Sequence, residues 1–196
     1  MKRFTHRRNQ FAAALDDGIA VIPASSETVR NDDVDHAFRQ SSDFFFLTGF
    51  EEPDAIALFD PAHEQPYVLF VRPRDPEMEA WNGERAGVEG AVQIFGADVA
   101  FPVSDFDKVL RDRLRGRETL WYALGSSIDA RVLGAVRQAQ AWRNRTGIAV
   151  PSVIAEPATV LDELRLIKSP EEIAALREAC RVSAAGHAEA IRFAAP

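Results

Sequence analysis

Apolar and polar positions alternate along this chain in blocks that change period several times. Residues 3–16 repeat at helical spacing, with Phe4, Phe11 and Leu15 as the expected buried side. Residues 18–23 form a short apolar run between turn formers, the pattern of a buried strand. A polar stretch over 25–35 reads as a loop. Residues 44–50, 55–59 and 67–71 then read as three strands, joined by turns at 51–54 and 61–66 that are short enough to imply antiparallel neighbours. Residues 74–90, rich in glutamate and glycine around Trp81, read as an exposed loop, followed by a brief strand over 92–95.

The second half alternates strand and helix. Residues 104–115 carry Phe106, Val109, Leu110 and Leu114 on one side of a helix, 119–124 form a strand, and 129–145 a helix packed through Val132, Leu133, Val136 and Trp142. Strands first, then strands alternating with helices, predict an α/β domain built on a mixed sheet. An extended connector over 148–157 leads to a short helix at 158–167. Ser169, Pro170 and Glu172 then carry the signature of a capped start to a long helix reaching residue 194. Ile173, Leu176, Cys180, Ala184, His187 and Ile191 fall near one face of it. That face has nothing to cover it within the sequence, so the helix reads as the opening of a second, truncated domain.

Composition narrows the class. A net charge of −7 over 196 residues argues against general nucleic-acid binding. The arginines at 111, 113, 115 and 117 are interleaved with Asp112 and Glu118 and read as the polar face and end of a helix. No apolar run spans a bilayer or forms a signal-peptide core, so no membrane partner is expected and the expected location is cytoplasmic. The single cysteine, Cys180, excludes an internal disulfide.

The motifs of catalysis are missing. Asn31-Asp-Asp-Val-Asp-His36 is the densest ligand-type cluster, but it lacks the glycine and downstream glutamate of a calcium loop and reads as a solvated loop. Ser41, Ser42 and Asp43 form no nucleophile elbow. The four histidines share no metal spacing. Catalytic and metal-ligating residues are therefore expected to be none. Trp81, a large aromatic in a polar glycine-bearing loop, is either an anchor at an interface or pocket or a residue that folds back on its own core.

Four ordered segments carry a family resemblance: Phe38-Arg-Gln-Ser-Ser-Asp-Phe-Phe-Phe-Leu-Thr-Gly-Phe-Glu-Glu-Pro-Asp54, Arg72-Pro-Arg-Asp75, Trp81-Asn-Gly-Glu-Arg-Ala-Gly87, and Glu163-Leu-Arg-Leu-Ile-Lys-Ser-Pro-Glu-Glu-Ile173. Together they resemble the N-terminal domain of bacterial aminopeptidase P and its junction with the "pita-bread" catalytic domain, in the creatinase/prolidase superfamily. The resemblance implies a ribonuclease H-like domain over 1–165, with the truncated catalytic domain beginning over 166–196. It implies a metal-dependent Xaa-Pro aminopeptidase acting on peptides with proline at position two. Two divalent ions, typically Mn2+, would be held by two Asp, one His and two Glu beyond residue 196. The fragment alone is then expected to be inactive.

The resemblance further implies a homodimer or homotetramer in which Trp81 reaches a neighbouring subunit's active site and contacts substrate. Asn82 stands where relatives often carry an aromatic. Arg85 is expected to hold the loop or meet a carboxylate, and Arg39 and Asp43 to play structural roles as an ion pair or in strand-end hydrogen bonds. A prolidase, a stand-alone interaction module, and a relative with a metal-free binding domain are the competing readings.

Overall fold

The computed structural model describes residues 2–194, and of Asn82 only the backbone. The chain divides into two compact units, 1–161 and 162–196.

The first unit is built on a six-stranded sheet. Its strands are β1 (Ile19–Pro23), β4 (Ile56–Phe59), β5 (Tyr67–Val71), β6 (Val99–Pro102), β7 (Thr119–Trp121) and β8 (Val153–Ala155), in the spatial order β6-β5-β4-β1-β7-β8. β4 runs antiparallel to both β1 and β5, whereas β7 pairs parallel to β1, β8 to β7, and β6 to β5. The mixed sheet expected from the sequence is therefore present. Its core run β5-β4-β1-β7-β8, with the antiparallel strand second, is the ribonuclease H-like arrangement. A small separate hairpin, β2 (Val29–Asn31) and β3 (Val34–Asp35), occupies the segment read as a loop, and its residues are exposed.

β4 and β5 are buried at every position, which requires cover on both faces. One face carries Ile19, Val21, Ile56, Leu58, Val68 and Phe70. It packs with Phe106, Leu110 and Leu114 of the α5 (Phe106–Arg113) region and with Val132 and Val136 of α6 (Asp129–Thr146). Alternate residues point the other way. There Phe59 meets Phe11 of α1 (Lys2–Ala13) edge-to-face at 5.3 Å and stacks on Tyr67 at 5.2 Å.

Several predicted elements need correction. Residues 44–50 are not a strand: α2 (Ser42–Thr48) runs there. The Ser41 side chain accepts from the Phe44 N–H, and Gly49, with φ 68°, closes the helix through its N–H to the Phe45 carbonyl. A Cβ on Gly49 would lie 2.5 Å from the Phe4 ring, so both conformation and space demand glycine. The run 74–90 is not a structureless loop. It holds α3 (Pro76–Asn82) and α4 (Gly87–Gln93), and α4 absorbs the start of the strand expected at 92–95. The true edge strand is β6, four residues beyond. The connector contributes β8, which the sequence reading omitted.

In the second unit, α8 (Pro170–Phe193) begins as expected. Ser169 Oγ accepts from the Glu172 N–H at 3.2 Å, and the Ser169 N–H donates to Glu172 Oε2 at 2.7 Å. None of its residues is buried, Cys180 included. The helix α7 (Ala158–Leu166) spans the boundary between the units.

At the β4–β5 turn the fully buried Asp60 carboxylate accepts from Arg117 Nε at 2.7 Å and pairs with Arg113 Nη1 at 3.4 Å. Removing one side of a buried pair leaves the remaining charge without compensation. Asp60→Ala is expected to lower unfolding free energy by about 3–5 kcal/mol in urea titrations. A loss below about 1 kcal/mol, the range of exposed pairs, would contradict this role.

Candidate functional site

The candidate site is the segment that leaves β5 and carries Trp81. Asp75 caps α3, its Oδ1 accepting from the N–H groups of Glu77 (3.1 Å) and Met78 (3.3 Å), and Pro76 occupies the first helical position. The helix closes at Gly83, whose N–H donates to the Glu79 carbonyl at 3.0 Å.

Glu79 organises the loop. Arg74 grips its carboxylate with two parallel hydrogen bonds, Nε to Oε1 at 3.0 Å and Nη2 to Oε2 at 2.8 Å, and the Arg85 N–H donates to Oε1 at 3.3 Å. This fork geometry fixes direction as well as distance. The Arg74 hydrogen bonds hold the Glu79 carboxyl below its ordinary range and raise the Arg74 guanidinium. Arg85 also reaches back through Nη1 to the Pro73 carbonyl at 3.5 Å, so it holds the loop. The far end is tied down by Glu52, whose Oε1 accepts from the Ala86 N–H at 2.7 Å. Gly87 adopts φ 61°, and a Cβ there would meet Arg74 Cγ at 2.6 Å, so the chain turns tightly over that side chain.

Trp81 sits on this framework with 88% of its surface exposed, and Met78 beside it is also exposed. The indole does not fold back onto the core. The loop supplies a rigid base and an uncovered aromatic, an arrangement suited to contact with another molecule.

The strongest sequence motif works through a residue that the sequence reading passed over. Gln40 Oε1 accepts from the Ser25 and Ser41 N–H groups at 2.8 and 2.9 Å, while its Nε2 donates to the Phe50 and Glu52 carbonyls at 3.2 and 2.9 Å. One amide thereby joins the end of β1, the start of α2 and the turn that presents Glu52. Asp43 lies in the first turn of α2, not at a strand end, and Arg39 is exposed. Glu79 lies outside the four family segments, and Glu52 lies within the first of them with no local pattern to mark its role. Asp75-Pro76, however, is a helix-start pair that could have placed α3. Among the described residues no three His, Cys, Asp or Glu side chains are grouped to hold a metal ion. No described helix is long and apolar enough to cross a membrane.

The Glu79 clamp responds to acid in a definite direction. Its carboxyl is lowered in the folded loop, so the stabilisation is present above the ordinary glutamate pKa of about 4.3 and is lost as pH falls through the lower folded value. Glu79→Gln should loosen the loop already at neutral pH, seen as faster tryptic cleavage after Arg85 with an unchanged urea midpoint. Cleavage at the wild-type rate would show that the clamp does not restrain the loop.

With this geometry in place, comparison with known proteins is specific. The family model described as "Aminopeptidase P, N-terminal domain" matches residues 4–121. The Xaa-Pro aminopeptidase of Escherichia coli K12 is 33% identical over 200 residues, covering all of this chain and 45% of that protein. Among solved structures, aminopeptidase PepP of Pseudomonas aeruginosa superposes on the whole chain with a TM-score of 0.92 and 38% identity, again over 45% of its own length. A proline aminopeptidase from Yersinia pestis gives 0.89 and 33%, covering all of this chain and 46% of that one. The chain thus spans a little under half the length of these relatives. The family model covers more than half of the chain, and the chain belongs to the aminopeptidase P N-terminal domain family.

Proposed function

We propose that this chain is the N-terminal, oligomerisation and active-site-access part of a metal-dependent Xaa-Pro aminopeptidase. The observation that carries the reading is the superposition of the entire chain on the P. aeruginosa aminopeptidase at a TM-score of 0.92. In this reading residues 1–165 are the N-terminal domain and 166–196 open the pita-bread catalytic domain. The substrates are peptides with proline at position two, and the whole protein is a cytoplasmic homodimer or homotetramer.

The two divalent ions of that reaction, taken here as Mn2+, need a converging set of acidic and histidine ligands. The described residues offer no such group, so no step is assigned to a metal here. The contribution of this chain is steric and apolar. Trp81, presented from a clamped loop, is assigned to the wall of a neighbouring subunit's substrate channel, where an indole can cover the apolar part of a short peptide.

Two experiments test the assignment. The 196-residue chain supplied with Mn2+ should show no turnover of an Xaa-Pro peptide, and measurable metal-dependent hydrolysis would overturn the division of labour. In the full-length enzyme, Trp81→Ala should lower kcat/KM by about tenfold or more, as expected for an aromatic anchor, with metal content unchanged. Wild-type kinetics in that variant would remove Trp81 from the substrate channel while leaving the family membership intact.

A further inference from the structure

Residues 111–146 contain eight arginines, no lysine and only three carboxylates (Asp112, Glu118 and Asp129), a local excess of five positive charges in a chain whose net charge is −7. Two of those arginines, Arg113 and Arg117, are spent on Asp60, and Arg131 pairs with Asp107. The others include Arg111 and Arg115, which share the single carboxylate of Asp112 at 3.3 and 3.1 Å. Among the described residues Arg137, Arg143 and Arg145 form no ion pair.

Helical spacing gathers part of this excess at one place. On α5 and its last turn, Arg111 and Arg115 are one turn apart. On α6, Gln138, Trp142 and Arg145 follow at intervals of four and three, so they share a face. Together they line an open cleft of about 360 Å³ between the two helices. The Arg115 guanidinium lies over the Trp142 ring at 4.2 Å. Among the described residues no carboxylate lines the cleft itself, and Asp112 pairs with Arg111 and Arg115 at its edge.

We propose that this cleft is a binding site for a nucleoside phosphate, distinct from the peptide-handling loop at Trp81. Guanidinium groups suit phosphate because their planar forks pair with its oxygens two at a time. Three arginines line the cleft, two of which would exchange the shared, exposed Asp112 carboxylate for the ligand. The Trp142 indole with the Arg115 guanidinium stacked on it supplies a flat surface for a base, which an inorganic anion would not use. The volume falls within the range of small-ligand pockets, and the amide of Gln138 offers both donor and acceptor to a ring edge. A longer nucleic acid fits less well. The positive groups are confined to one helix pair, and the chain as a whole is acidic, which opposes binding along an extended backbone.

The test is calorimetric titration of the purified chain with ADP, tripolyphosphate and adenosine at low and moderate salt. ADP is expected to bind saturably, to weaken as salt rises, and to be displaced by tripolyphosphate, while adenosine alone does not bind. The Arg111→Gln/Arg145→Gln variant should weaken ADP by about tenfold or more, since each lost charge-assisted contact is of that order. Trp142→Leu should weaken ADP and leave tripolyphosphate unchanged. Because Trp142 is half-buried, the exposed Arg145→Gln change alone serves as the control for folding, read by its urea midpoint. Absence of ADP binding at low salt, or equal binding by the arginine variants, would overturn the proposal. So would a single-stranded oligonucleotide that binds more tightly than ADP.

Discussion

Burial of the two central antiparallel strands on both faces is the constraint from which the rest of this unit follows. β4 and β5 are buried throughout, and in β1 only the last residue is partly exposed. A sheet in that state cannot exist without a helical layer on each side. α5 and α6 supply one layer through aliphatic and aromatic contacts such as Phe70 against Phe106 at 5.2 Å. On the other face Phe11 and Phe59 meet, and the buried guanidinium of Arg8 lies over the Tyr67 ring at 4.3 Å. Arg8 also donates to the Leu47 carbonyl at 3.2 Å, tying α1 to α2. Its pKa is lowered mainly by burial, the cost of placing a charge in this layer.

Given that frame, the Trp81 loop solves a specific problem. An exposed indole stabilises nothing within its own chain, and a free loop would let it wander. Isolated surface ion pairs contribute little. Here, though, one carboxylate, that of Glu79, receives two bonds from Arg74 and one from the backbone, and Asp75, Glu52 and Gly87 fix the two flanks. The restraint is a network rather than a pair, which is why a short, exposed helix can hold an aromatic in one place.

How much of this was legible in the sequence depended on period and punctuation. β1, β4 and β5 were found because each is a short apolar run between turn formers, and α8 because its capping box is local. Phe44 to Leu47 misled, since an unbroken apolar run has no period to separate buried helix from buried strand. Only the caps, Ser41 and Gly49, decide it. The edge strands β6 and β8 are three or four residues long and draw their identity from neighbours distant in sequence. Trp81 was legible as an aromatic out of place. Its support was not, because, the neighbouring Ser41 apart, Gln40 and Glu52 act on backbone groups 10 to 34 residues away, which no local pattern records.

Strand directions divide the chemistry between the two ends of the sheet. β1 and β5 run the same way, each antiparallel to β4, so Pro23 and Val71 finish at the end where β4 begins. Gln40, Glu52 and the Trp81 loop all gather at that carboxyl end, the side of an open α/β sheet where ligands are usually met. The opposite end holds the β4–β5 turn. There Asp60 draws in Arg113 and Arg117, and Arg113 also reaches the Gln65 carbonyl at 3.1 Å. That buried carboxylate anchors the stretch from which Arg111 and Arg115 face α6. A single buried acid thus does two things at once: it seals the amino end of the sheet and fixes the helix end that carries the cleft's guanidinium groups.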